Sequence, residues 1–424
     1  MRKLRLHFQL PFMKSTNKGL TFIFITLLLD VMGIGLIIPI LPKLVEGFVD
    51  NNLSVASHYL GILISVYAFM QFLCAPLLGS LSDQYGRRPV ILLSLLGYGL
   101  DYILLAFAPS LGWLFVGRVI AGITGGSFTT ASAYIADISE PEKRAQNFGL
   151  IGAAFGLGFI IGPALGGVLG EINVRLPFFA AAGLTLLNWL YGFFILPESL
   201  SLNDRRSFSW KRANPISALT NLGKYPIILG LTGSLVCLNL AGQIHPSTWV
   251  LFTTSQFQWT ELDVGLSLAF VGLTVAIVQG GLTRVIVPKL GDRLSVVTGL
   301  CLSAAGFVLF GLATQGWMMY VAMVPFALGG IAGPAIQGLI SRQVGPSEQG
   351  TLQGTLTSLV SITAIVGPLA ATSLFAYFNA PKAPIHLPGA AFFMGTVLTL
   401  LGLLIALRSF PRQKFNAEPV GVEG

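Results

Sequence analysis

The chain has 424 residues, 54% of them hydrophobic and only 10% charged, with a net charge of +8. Soluble domains carry roughly 25% charged residues, so the composition excludes an ordinary soluble pair of domains. A mean hydropathy of +0.77 implies many apolar spans, and the lysines and arginines sit in short loops between them, a footprint of membrane topology and not of nucleic-acid binding.

In chain order, residues 1–18 form a basic lead, with Met13 as an alternative start. The apolar run that follows lacks a small-residue cleavage site, so it reads as a first transmembrane helix and not as a removed signal peptide. Spans of about 20 apolar residues are predicted at 20–41, 58–80, 90–109, 111–136, 147–170, 176–197, 225–247, 262–283, 294–314, 316–340, 351–376 and 390–408. Backbone polar groups cannot stay unpaired in hydrocarbon, so these runs must be helices. An all-α membrane protein of twelve helices follows. With both termini cytoplasmic, only Lys43, Arg175 and Lys382 of the 25 Lys and Arg fall outside, and Arg118 falls within a span. That imbalance sets the orientation. The hydrophilic break around Asp204, Arg205, Arg206, Lys211 and Arg212 reads as a cytoplasmic linker. It divides the chain into a bundle over 1–200, a linker over 201–223 and a bundle over 224–424. Cys74, Cys237 and Cys301 lie far apart in apolar spans and read as free buried thiols.

A shift of 205 residues places Gly86 on Gly291, Pro141 on Pro346, Gly149 on Gly354 and Gly162-Pro163 on Gly367-Pro368. Four coincidences at one offset, in equivalent loops and helices, argue for a duplicated six-helix unit.

The most specific segment is Gly79-Ser-Leu-Ser-Asp-Gln-Tyr-Gly-Arg-Arg-Pro-Val90, between the second and third spans. Gly86 allows a tight reversal, and Asp83, Arg87 and Arg88 can bridge helix ends and reach a helix N-terminus of the other half. In the second copy Pro288 stands at the position of Asp83, so a latch built from this loop is asymmetric. The fifth span carries Gly158, Gly162, Gly166 and Gly170 on one face, where a second backbone can approach closely, with Pro163 beside Gly162 as a possible kink.

Ionisable groups at membrane depth are expensive and usually functional. Of 17 acidic residues only Asp30 and Asp101 lie mid-span, and Arg118 is the one basic residue there. Burial disfavours a charged carboxylate and a nearby guanidinium favours it, which is the balance a proton carrier needs. Two carboxylates for one guanidinium leave one free to take a proton; a static ion pair that merely sets packing is the plainer alternative. In the carboxyl half the groups expected to be buried are neutral: Asn239, Gln243, Gln279 and Gln337. These, with Tyr67 and Gln71 on the second span, could hydrogen-bond a substrate or simply neighbouring helices. His7, His58, His245 and His386 have no metal spacing, and His245 is expected at the outer interface.

The Gly79–Val90 segment resembles the signature loop of the major facilitator superfamily, and Gly162-Pro163-Ala164-Leu165-Gly166-Gly167 resembles the helix-five motif of its antiporters. Leu29-Asp30, Asp101-Tyr102, Gly117-Arg118, Tyr134-Ile-Ala-Asp-Ile, Ser341-Arg-Gln-Val344 and Gln349-Gly-Thr-Leu-Gln-Gly354 extend the likeness to the twelve-helix tetracycline:proton antiporters over nearly the whole chain. The resemblance implies two pseudo-symmetric six-helix bundles in a bacterial inner membrane, exporting a small amphipathic compound against protons by alternating access. It implies proton or substrate roles for Asp30, Asp101 and Arg118. A gating role follows for Gly79, Asp83, Gly86, Arg87 and Arg88, with Asp137 and Arg144 beside them. The antiporter motif falls on Gly158, Gly162, Pro163, Gly166 and Gly167. No cofactor is implied beyond the proton gradient, no metal and no nucleic acid, and one chain in the lipid bilayer suffices. This chain has Val275 where those exporters carry a histidine and Ser303 where they carry an intramembrane aspartate. A proton-coupled transporter of a metabolite or siderophore is the alternative; a membrane enzyme or sensor lacks an acid/base cluster or an appended domain.

Overall fold

The structure is a computed structural model describing residues 16–125, 127–140, 143–210, 226–345 and 349–410. Residues 1–15 of the basic lead, Lys211, Arg212 and the tail after Phe410 lie outside these residues. Helices α1 to α8 cover Thr16–Ile37, Leu41–Glu46, Leu53–Tyr85, Arg87–Ala106, Leu111–Thr124, Ser127–Ile138, Arg144–Ile172 and Leu176–Ile195. Helices α9 to α16 cover Pro226–Phe257, Glu261–Ile277, Thr283–Leu290, Asp292–Leu312, Gly316–Gly329, Ala332–Ser341, Gln349–Asn379 and Ala390–Ser409. Eleven segments of the described residues are long and apolar enough to cross a membrane. The remaining span is α9, 32 residues long, whose Asn239, Gln243 and His245 dilute its apolar character. Twelve membrane-spanning segments result.

Local chemistry sets the boundaries. Asn52 starts α3 by accepting the Val55 amide N–H at 3.1 Å. Thr260 and Asp263 form a reciprocal capping box at the start of α10, which satisfies two orphan helix donors. Gly86 and Gly291, with φ of 106° and 75°, turn the chain between α3 and α4 and between α11 and α12, a conformation that side chains with a Cβ rarely adopt. Three features depart from the sequence expectation. The short α2 forms after the first span, led by Pro42 in its first turn. The fourth and tenth spans are each broken, near Gly125 and near Gly330. A π-helical turn at Val278–Leu282 joins α10 to α11. Cys237 is buried, but Cys74 is half-buried and Cys301 exposed, because apolarity in a membrane protein marks lipid-facing as well as interior surface.

Helices α4, α5 and α7 begin at Arg87, Leu111 and Arg144, and α12, α13 and α15 begin at Asp292, Gly316 and Gln349, each 205 residues later. The breaks at Gly125 and Gly330 keep the same spacing. Two faces can be named by charge: a basic face carrying the Gly86 and Gly291 loops, and an opposite face carrying Lys43 and Glu261. Toward the basic face the two bundles keep separate cores, one around Phe22, Ile91 and Tyr134, the other around Leu231, Val296 and Ile336. Toward the opposite face one continuous core joins Leu36, Leu60 and Tyr102 to Ile244, Trp249 and Phe375. Cross-links reinforce that closure: Ser65 Oγ donates to the Ile365 carbonyl at 2.6 Å, Ser54 Oγ to the Ala376 carbonyl at 3.0 Å, and Lys43 pairs with Glu261. The molecule is therefore sealed at the opposite face and parted at the basic one.

Candidate functional site

Where the bundles part, a cavity of about 750 Å³ reaches from Gly79 at the basic face to Ile34, Tyr67 and Tyr98 at mid-depth, with Gly354, Thr357 and Ser361 of α15 across from it. Asp30 of α1 lines it and accepts a hydrogen bond from Ser127 Oγ at 2.8 Å. The break between α5 and α6 creates this contact: it starts a new helix at Ser127 and leaves the Gly125 carbonyl to accept from Gln71 Nε2 at 3.4 Å. Gln71 also donates to the Tyr67 hydroxyl at 3.3 Å.

A smaller cavity of about 240 Å³ lies toward the opposite face. Ile37, Leu60, Ile64 and Val250 make its walls mostly aliphatic, and Arg118 is its one charged lining residue. Arg118 Nη2 lies 3.7 Å from Asp101 Oδ2, and its guanidinium carbon lies 6.0 Å from the centre of the Tyr67 ring. Asp101 is 1% exposed, and neither carboxylate oxygen has a hydrogen-bond partner among the described residues. Asp101 and Arg118 thus pair, while Asp30 stands apart with Ser127. The three charges share one bundle but not one contact.

The signature loop forms a compact polar cluster at the basic face. Arg87 Nε donates to Asp137 Oδ2 at 3.1 Å, while its Nη1 donates to Asp83 Oδ1 at 2.6 Å and Ser82 Oγ at 2.7 Å. Arg88 Nη2 donates to the Phe193 carbonyl at 2.6 Å. All of these partners belong to the amino-terminal bundle, and among the described residues the loop's side chains make no bond to the other half. Arg144 opens α7, and its side chain lies outside the described set.

Sequence reasoning missed Glu198. Its carboxylate accepts the backbone N–H of Arg87 at 2.8 Å and of Arg88 at 3.3 Å, and so caps the first amides of α4. Any side chain at Gly86 would collide with it. A carboxylate on a helix N-terminus satisfies orphan donors and meets the positive end of the dipole. Glu198→Ala is expected to lower stability by about 1–2 kcal/mol and Glu198→Gln by less, as read by thermal unfolding in detergent. Equal unfolding temperatures in all three proteins would show that the cap contributes nothing.

The glycine motif packs two ways. Gly158, Gly162 and Gly166 face Val31, Met32 and Leu36 of α1, while Gly167 lies against Glu261 and Leu262 of α10 and the Pro163 carbonyl against Gly265. Helix α7 is thus clamped to its own bundle on one side and to the other bundle on the next.

Four expected cavity residues are placed elsewhere. Asn239 donates to the Leu235 carbonyl of its own helix at 2.8 Å, and Gln243 packs against Gly367. Gln279, in the π-helical turn, and Gln337, on α14, are exposed instead of buried. None of the four lines either cavity. His245 is not interfacial: it is 6% exposed, stacked 5.3 Å from Phe326 and 4.4 Å from Trp249. Besides Trp249 of its own helix, Phe310 and Phe326, distant in sequence, pack against it. Val275 joins a small apolar cluster with Val278 and Ile331, and Ser303 is buried against Gly329. Tyr67 and Gln71 do line the large cavity. Ser127 and Tyr98 join them, and no periodic signal in the sequence singles these two out.

The family profile described as Major Facilitator Superfamily matches residues 23–295 and again 248–423. The class C tetracycline resistance protein of Escherichia coli is 44% identical over 364 residues, spanning 86% of this chain and 91% of that protein. The crystal structure of the human organic anion transporter MFSD10 superimposes with a TM-score of 0.67 at 26% identity, covering 92% of this chain and 99% of that one. A bacterial homologue of the human lysosomal transporter Spinster, inward-facing and occupied, gives a TM-score of 0.75 at 15% identity, over 93% and 97% of the two chains.

Proposed function

The chain belongs to the Major Facilitator Superfamily, and on that footing we propose that it exports an amphipathic drug of the tetracycline kind across the bacterial inner membrane in exchange for protons. The basic face is cytoplasmic in this reading, with both chain termini on that side, and the large cavity is the entry site of an inward-facing state. Relatives named for tetracycline resistance at 37–44% identity support drug efflux. The observation that carries the proton is the charge arrangement: Asp30 on the large cavity, and Asp101 paired with Arg118 beside the small one. All three sit in one bundle, whereas the Val275 and Ser303 positions hold neutral side chains in apolar packing.

The cycle runs by exchange. A proton taken from outside favours return to the state parted at the cytoplasmic face; substrate entering beside Asp30 replaces it there, and the loaded molecule then opens outward. Each ligand shifts the equilibrium only by its differential affinity for the two states. In everted membrane vesicles an imposed gradient, acid inside, should drive tetracycline uptake that a protonophore abolishes. Asp30→Asn should remove the gradient-driven component. Uptake in the unaltered protein that ignores the gradient would sink the proposal.

A further inference from the structure

The two cavities are divided by a wall. Ile34, Tyr67 and Tyr98 line both. The hydroxyls of Tyr67 and Tyr98 lie in hydrogen-bond contact at 3.4 Å, and Tyr98 stacks on Tyr102 with ring centres 6.2 Å apart. Gln71 ties the wall to the scaffold by donating to Tyr67 and to the Gly125 carbonyl. The charged lining is segregated by this wall: Asp30 lines the chamber toward the basic face, and Arg118, with Asp101 behind it, borders the chamber toward the opposite face.

A coupled exchanger must keep its two proton sites from joining one continuous water chain, or protons cross without substrate. We propose that the rings of Tyr67 and Tyr98, held by Gln71, are that barrier. In this state protons of the cytoplasmic chamber then reach Asp30 but not the Asp101–Arg118 pair, and a proton from outside enters only once the molecule has opened at the opposite face. The inference rests on the proton-coupled reading of these carboxylates, and it makes the tyrosines positioning residues for coupling in addition to any contact with substrate. A barrier needs ring bulk; a proton relay through the wall would need the hydroxyls. The two predict opposite behaviour for alanine and phenylalanine.

The test uses the full chain in proteoliposomes with a pH-sensitive dye enclosed, an imposed gradient and no substrate. Tyr67→Ala and Tyr98→Ala should raise the proton leak about tenfold or more, as a barrier lowered by about 1.4 kcal/mol would. Tyr98→Phe should stay as tight as the unaltered protein, and Tyr67→Phe, which keeps its ring but gives up the bond from Gln71, should leak no more than Gln71→Ala. Gln71→Ala, a milder change that loosens the clasp, should leak to an intermediate degree and decides the matter if the alanine variants do not fold. Tight alanine and Gln71→Ala variants overturn the proposal, as do phenylalanine variants that leak like alanine. An unaltered protein whose tetracycline transport ignores the gradient removes the underlying reading instead; gradient-driven transport with leak-tight alanine variants removes only the barrier.

Discussion

Asp101→Asn is expected to abolish gradient-driven efflux, and Arg118→Gln added to it is expected not to bring efflux back. The pair invites the rival view that it only fixes α4 against α5. Breaking a buried pair by removing one partner costs about 3–5 kcal/mol, because the other charge is left uncompensated. Removing both charges relieves that penalty. If the pair were structural, the doubly neutral protein would recover stability and transport together. If Asp101 carries a proton, stability recovers while transport stays absent, since an amide cannot cycle between charged and neutral forms. The geometry favours the second outcome: at 3.7 Å, with neither carboxylate oxygen hydrogen-bonded among the described residues, the pair is loosely made. A tight, multiply bonded pair would be expected of a purely structural clasp. Thermal unfolding and vesicle uptake on the single and double variants separate the two.

The second large effect is expected at Gly167. A Cβ there would lie 2.5 Å from the Glu261 carbonyl oxygen and 3.0 Å from the Leu262 Cα. These are backbone atoms, so no rotamer change relieves the clash. Overpacking of this kind costs about 1–3 kcal/mol. Because the contact joins two bundles, the cost falls on the sealed state and not on the fold of either bundle. Gly167→Val should therefore shift the population toward opening at the opposite face by about 5–150-fold. A cysteine introduced at Leu60 would report this as faster labelling by an impermeant maleimide. Gly166→Val should behave differently: its Cβ would strike the Leu36 backbone, at 2.3 Å from the carbonyl oxygen, within one bundle. Loss of folded protein is expected there. Gly152→Ala, on the same helix with nothing within 4 Å, is the neutral control. Equal behaviour of all three would refute the clamp assignment.

The spans were legible because hydrocarbon leaves an apolar chain one secondary structure to adopt. The 205-residue repeat was legible from a handful of glycines and prolines, and it recurs in the helix starts. The internal breaks near Gly125 and Gly330 were not, since those glycines are two of 50 and nothing local separates a break from a packing glycine. Asp30, Asp101 and Arg118 stood out because charge at depth is rare. Their partition into a pair and a hydroxyl-bonded singleton depends on how three helices rotate, which no spacing encodes. His245 shows the limit most clearly. Its place near the outer end of the seventh span suggested an interface, yet Phe310 and Phe326, more than sixty positions away, pack against it. Glu198 escaped notice because its partners are amides of another loop, and amides leave no mark in sequence.

Gly86 and Gly291 hold nearly the same backbone shape in the two copies, but their surroundings have diverged. Around Gly86, Glu198 and Arg205 stand within 3 Å of where a side chain would begin; around Gly291 there is open space. The backbone shape is a shared inheritance, whereas the occupied ring around it belongs to one copy. Once a gene doubles, the two editions of a motif are free to drift apart: where the first pairs Arg87 with Asp137, the second pairs Asp292 with Arg342, the signs exchanged. Pro288, standing where the first edition has Asp83, is such a drift. A small label is accordingly better placed beside Gly291, with Asp292 and Arg342 left in place, and the first loop is the place where even a methyl group would be read as damage.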